Sequence, residues 1–137
     1  MSQVYTIAAD KVYGVWDEVG SLLNAAFLNH DDVDYGLEYL KKELVGGKQH
    51  LFLVVKNEKI IGAYTVELID YDNHRVALTT CMGGKKVFSK NTVQQYEDWA
   101  RSQGVTKIRA YAKKAQARLF RLKLGLQPVM QVVEKKL

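Results

Sequence analysis

The run CMGGKKVFSK, Cys81 to Lys90, concentrates groups that could hold an anion. An apolar, strand-like stretch ends there in Gly83 and Gly84, followed by Lys85, Lys86, Ser89 and Lys90 just before a helical pattern. Glycines let main-chain N–H groups approach a ligand closely, and a helix start adds the positive end of its dipole. A phosphate cradle fits that composition, and so does a turn in which Ser89 caps the helix and the lysines are hydrated. A second basic group lies further on, where Lys114, Arg118 and Arg121 follow one another at steps of four and three, on one helical face with Lys113 close by. Carboxylates and an imidazole cluster in the middle of the chain, at Glu67, Asp70, Asp72 and His74. The lone Cys81 is either a nucleophile or, as is commoner for a cysteine in an apolar strand, a core residue. His30, His50 and His74 have no metal-ligand spacing, so no metal is expected.

Charge is divided unevenly. Residues 1–84 hold 7 basic and 12 acidic side chains and residues 85–137 hold 13 and 3, balances of −5 and +10 within a net +5. A basic second half calls for an anionic partner, either cofactor phosphates or a nucleic-acid backbone. No helix-turn-helix, zinc-finger or RNA-recognition signature accompanies it, which ranks nucleic acid last. Asp31, Asp32 and Asp34 read as helix-cap and dipole partners that would also attract a cationic ligand.

These groups need elements to position them. At 137 residues with one proline and no repeat, the chain reads as one domain over residues 1–137. No apolar run reaches the roughly 18 residues of a membrane span. The N-terminus lacks secretory features, and one cysteine makes no internal disulfide, so a cytoplasmic protein is expected. A short strand, residues 4–8, precedes a helix that Asp10 is placed to cap, with Val12, Val15, Trp16, Val19, Leu22, Leu23, Ala26 and Phe27 as its stripe. A second helix carries Val33, Leu37, Leu40 and Leu44 and stops at Gly46 and Gly47. The period then turns to that of strands: HLFLVV, a KNEK turn, IIGAYTVELID and RVALTTCM form an antiparallel meander. A helix over residues 89–103, the strand VTKIRAYA, a basic helix ending at Gly125 and a last strand in LQPVMQVVEKKL complete the order βααβββαβαβ.

That order resembles the GNAT superfamily of acetyl-CoA-dependent N-acetyltransferases over nearly the whole chain. Gly62, EDWARSQG and RLFRLKLGLQPV add local matches, and small bacteriophage GNAT-like proteins look especially similar. The resemblance implies an α+β fold, with a mostly antiparallel twisted sheet, helices on both faces, and a parallel strand pair splayed to admit the pantetheine arm. It implies acetyl transfer from acetyl-CoA to an amine of a small molecule or protein. The family signature R/Q-x-x-G-x-G/A falls on Lys85, Lys86, Val87, Phe88, Ser89 and Lys90, so Phe88 and Lys90 stand where glycines should. Gly83 and Gly84 would supply the missing freedom, with Lys85, Lys86, Ser89 and Lys90 on the pyrophosphate and Lys114, Arg118 and Arg121 on the 3′-phosphate. The family's base would be Glu67, with Asp70, Asp72 and His74 as alternatives, and main-chain N–H near Cys81 or Met82 would meet the oxyanion. The usual tyrosine acid is replaced by Arg121, leaving Tyr111 or water to protonate the thiolate. A GNAT-fold protein without chemistry, binding a phage or host macromolecule, is the alternative.

Overall fold

A computed structural model of the chain describes residues 1–28 and 34–137. Five strands form one sheet in the order β1 (Gln3–Ile7), β2 (His50–Lys56), β3 (Lys59–Asp70), β4 (Arg75–Gly84), β5 (Lys107–Ala110). Pairing is antiparallel throughout except between β4 and β5, which run parallel. The β2–β3 hairpin turns at Asn57 and Glu58, both at positive φ (52° and 63°), the twist that a two-residue connection between right-twisted strands requires.

Two helices cover one face. α1 (Val12–Leu28) and α2 (Leu37–Val45) pack Val12, Trp16, Val19, Leu23, Leu40 and Leu44 against Leu51, Leu53, Ala63 and Cys81 of the sheet. The stripe read from steps of three and four is the stripe that is buried. Asp10, however, lies inside a short 3₁₀ turn, Ala9–Lys11, that leads into α1, so it is not the cap expected of it. Val33, Asp31, Asp32 and His30 lie outside the described residues.

The opposite face is aromatic. α3 (Lys90–Ser102) buries Val93, Tyr96 and Ala100, and packs Tyr96 and Ala100 with Phe52, Tyr64, Val66 and Ala77. Phe52 and Tyr64 stack at 4.8 Å, and Tyr96 sits 5.2 Å from Tyr64, each such pair adding about 0.5–1.5 kcal/mol beyond its buried area. The helix begins in a reciprocal capping box: Ser89 Oγ accepts from Thr92 N–H, and Thr92 Oγ1 accepts from Ser89 N–H at 2.7 Å.

α4 (Lys114–Leu124) buries only Phe120 and stops at Gly125, whose φ of 72° ends the helix in a left-handed turn. The strand expected in LQPVMQVVEKKL is not formed. Residues 126–137 lie outside the sheet, and Val129, Met130, Val132 and Val133 are exposed. Their β-branched composition favours a strand, but β5 stops at Ala110 and no strand among the described residues pairs with the tail.

Candidate active site

β4 changes its surroundings halfway along. From Val76 to Thr79 it is paired on both sides, with β3 and, through Val76↔Lys107 to Thr79↔Ala110, with β5. β5 ends there, whereas β4 continues for the five residues 80–84 with β3 as its only strand neighbour among the described residues. At roughly 3.3 Å per residue, about 16 Å of strand edge, a gap in the ladder, has no strand partner among the described residues. The transition coincides with an irregularity in the β3–β4 ladder: Val66 pairs with Thr79 and Thr65 with Cys81, which leaves Thr80 as an extra residue. Such a bulge bends a strand and raises its twist, and it falls where the pairing with β5 ends.

Gly83 and Gly84 have a structural task beside this gap. A Cβ on Gly83 would lie 1.9 Å from the Leu22 carbonyl oxygen of α1, and one on Gly84 would lie 2.3 Å from Ile61 O. The second glycine also sits at φ 108°. Both are therefore required by close backbone packing. The loop that follows is the one the sequence marked. Lys85, Lys86, Ser89 and Lys90 are exposed along it, Lys86 at φ 54°. Phe88, which occupies a glycine position of the family signature, turns its ring into the core against Tyr64 at 5.2 Å.

From the start of α3 a groove of about 470 Å³ runs between α3 and α4, lined by Ser89, Lys90, Val93, Gln94, Leu122 and Lys123 together with Glu97. Ser89 and Lys90 are brought to it as residues of the α3 start. Lys114, Arg118 and Arg121 are exposed on α4 but are not among its lining residues, and Lys123, which sequence reasoning passed over, is. Only the packing of α4 on α3 could reveal that. Tyr111 follows β5 directly and is 76% exposed.

On the α1/α2 side of the bulge a polar network is buried. Thr80 Oγ1 lies 2.6 Å from both Thr65 Oγ1 and Gln49 Oε1, and the half-buried Tyr35 hydroxyl hydrogen-bonds to Thr80 and Gln49. Burial raises the Tyr35 pKa above its ordinary value, while those hydrogen bonds oppose the shift. Glu67, partly buried on β3 opposite Leu78, is close enough to Tyr35 for its charge to add to the rise. Of the other carboxylates in this stretch, Asp70 is held by Arg75 at 2.9 Å and Asp72 lies in the exposed β3–β4 turn with His74, whose Nδ1 meets Asn73 Oδ1 at 2.7 Å. Thr65, Thr80, Gln49 and Tyr35 carry no motif, so no pattern in the residues marks them.

Cys81 belongs to the α1/α2 core. It donates to Leu23 O at 3.7 Å, and burial pushes its thiol up to about 12, far from the range in which a nucleophilic thiolate forms. The Tyr64 hydroxyl is buried and has no hydrogen-bond partner among the described residues. Such a group costs about 1–3 kcal/mol.

No protein-family model matches the chain, and no curated protein matches it in sequence. Solved structures do match in fold. An aminoglycoside acetyltransferase from an uncultured soil metagenomic sample, in complex with sisomicin, is 16% identical with a TM-score of 0.71, over 99% of this chain and 95% of that one. A predicted acetyltransferase from Clostridium acetobutylicum, with acetyl-CoA, is 15% identical with a TM-score of 0.66, over 99% and 96%. A ribosomal-protein-alanine N-acetyltransferase from Brucella melitensis is 10% identical with a TM-score of 0.67, over 100% and 98%. At these identities the likeness establishes the fold: an α+β GNAT fold with a mostly antiparallel sheet and one parallel pair.

Proposed function

We propose that this chain is an N-acetyltransferase that moves an acetyl group from acetyl-CoA to an amine of a small molecule or protein. The observation that carries the reading is the length of β4 left without β5, residues 80–84. An exposed strand edge offers main-chain donors and acceptors to an extended ligand that carries amides, as a pantetheine arm does. Four features fit such a ligand: the open edge, the basic loop after it, the capped α3 start, and the groove from Ser89 and Lys90 to Lys123. When bound, acetyl-CoA supplies an acyl group activated as a thioester.

Main-chain groups at Cys81 and Met82 are assigned to the acyl carbonyl, with Gly83 and Gly84 holding the strand close to α1. Lys85, Lys86, Ser89 and Lys90 are assigned to the diphosphate, and Lys114, Arg118 and Arg121 remain assigned to the 3′-phosphate, with Lys123 added from the groove. Glu67 is the proposed base, because it stands partly buried beside the Tyr35, Thr80 and Gln49 network on the acceptor side of the bulge. Tyr111 or water protonates the departing thiolate. A cationic amine suits the acidic first half of the chain, and the soil-derived neighbour's complex with sisomicin, a polyamine sugar, is in keeping with that. The single buried cysteine goes with a reducing cytoplasm.

Isothermal titration with acetyl-CoA, at protein concentrations on the order of 100 μM, tests the cofactor half. A heat signal saturating at one equivalent is expected, and no heat overturns the reading. Initial rates on a panel of amines, followed by release of free thiol, test the chemistry. The alternative, a GNAT-fold protein of bacteriophage or host that binds a macromolecule without catalysis, is favoured by Phe88 and Lys90 in the signature and Arg121 at the tyrosine position. It expects acetyl-CoA binding without turnover, or neither.

A further inference from the structure

The face of the sheet that carries Glu67 carries a second charge, which the proposed acetyl transfer leaves unused. Ile108 of β5 packs into the aromatic core beneath α3, so strand alternation turns Lys107 and Arg109 to the opposite face. Glu67 shares that face, because Val66 and Leu68 on either side of it pack in the aromatic core. Leu78 shares it too, since Ala77 lies in that core and Thr79 bonds Tyr96. The ladders line the three up: Glu67 pairs with Leu78, and Leu78 with Arg109. Neighbouring strands lie about 4.8 Å apart, so Glu67 and Arg109 stand roughly 10 Å from each other across one buried leucine.

Arg109 is partly buried and short of a counter-charge. Among the described residues no carboxylate lies within ion-pair distance of it. Its guanidinium rests over the Tyr71 ring, 5.9 Å from the centroid, and Asp70 at the end of β3 is taken by Arg75. Lys107, two residues along on the same face, is exposed and adds a second positive charge. A guanidinium over an aromatic ring keeps in-plane N–H donors free, and their fork matches a carboxylate. At the other end of the row Glu67 lies beside the Tyr35 hydroxyl with its Thr80 and Gln49 partners. Negative, apolar, positive is the charge order of an amino acid read in reverse.

We propose that the acceptor is an amine that also carries a carboxylate, with its nitrogen at Glu67, its chain over Leu78 and its carboxylate on the Arg109 guanidinium. This narrows the acetyl-transfer reading and rests on it. Two hydrogen bonds of about 2.9 Å, taken from roughly 10 Å, leave about 4 Å between nitrogen and carboxylate, the reach of a short amino acid. A polyamine fits less well, because its second cationic group falls next to Arg109 and Lys107. The transfer balances as before: an N–C bond forms to the acetyl carbon and the thioester C–S bond breaks. One proton leaves the nitrogen by way of Glu67, and one is taken up by the thiolate.

Matched pairs test this, with free-thiol release from acetyl-CoA as the readout. Glycine, β-alanine and γ-aminobutyrate are each compared with their carboxamides, tripeptides beginning with Asp with those beginning with Asn, and spermidine is run beside them. In the best acetylated pair the carboxylate is expected to raise kcat/KM on the order of tenfold or more, with spermidine the poorest acceptor. A preference among the free amino acids assigns a small molecule, and one confined to the Asp tripeptides assigns the carboxylate to a peptide side chain. Arg109→Gln is expected to erase the preference chiefly through KM, and Arg109→Lys to restore part of it. Acids and amides used alike, or spermidine used best, overturn the inference and leave the acetyltransferase standing; these comparisons need no variant. A preference that survives in Arg109→Gln overturns it as well. Acetyl-CoA binding without acetylation of any amine overturns the transfer reading and this inference together.

Discussion

The two halves of β4 have the same neighbour on one side and opposite circumstances on the other. Residues 76–79 are held between β3 and β5, and residues 80–84 have β3 as their strand neighbour among the described residues. In the closed half the side chains supply the order: Val76 and Ala77 are fully buried, and Thr79 Oγ1 bonds Tyr96 Oη at 2.9 Å. In the open half the backbone supplies it, through Gly83 against α1 and Gly84 against β3. A strand can be released from one neighbour and kept in place if something other than the missing ladder fixes it. Here that is the contact of a glycine with a helix carbonyl.

The sharpest way to break the contrast is Gly83→Val. The new side chain would start 1.9 Å from Leu22 O, so α1 or β4 must move. A loss of at least about 3 kcal/mol in urea unfolding is expected, with acetyl-CoA binding lost as well. Next comes Glu67→Gln, which on the proposed function lowers the acetylation rate on the order of 10²-fold or more while leaving acetyl-CoA affinity and unfolding midpoint unchanged. Tyr96→Phe acts on the closed half: it leaves buried Thr79 without its partner and should cost about 1–2 kcal/mol, again read by urea. Gly14→Ala is the control for Gly83. Nothing lies within 4 Å of its Cβ position in α1, so it should stabilise by about 0.5–1 kcal/mol.

The smallest effect concerns pH. Burial lowers the His50 pKa in the folded state, with the Arg75 charge adding to the shift. A group with a depressed folded pKa is neutral in both states above its unfolded value of 6.5, and protonation then favours the unfolded chain. Stability should therefore fall as pH drops below 6.5, and His50→Gln should flatten that part of the urea midpoint profile. Cys81 shows the converse case. With its thiol pushed up to about 12, it should resist thiol reagents at pH 9 in the folded protein and react once urea unfolds it.

Much of this architecture was legible in the residues. The steps of three and four in α1, the KNEK turn and Ser89 before Thr92 are local signals, and local signals specify helices, hairpins and caps. The end of β4 at Gly84 was legible too, in the change from apolar residues to glycines and lysines. What was not legible depends on contacts between distant segments. Gly83 and Gly84 looked like ligand glycines, and their need is the approach of Leu22 and Ile61. Tyr35, Gln49, Thr65 and Thr80 come from two loops and two strands and share no spacing. The tail has the pattern of a strand, and a strand also requires an edge within reach, which a pattern does not encode.

Thr80 has a consequence of its own. Because it is inserted between Thr79, which faces α3, and Cys81, which faces α1, removing it would leave every other side chain of β4 on its present side. A chain shortened by that single residue should keep both cores and regain a straight strand free to zip against whatever follows Ala110. The register shift in β4 is thus a one-residue property, which a single deletion would remove while the two faces of the sheet keep their side chains.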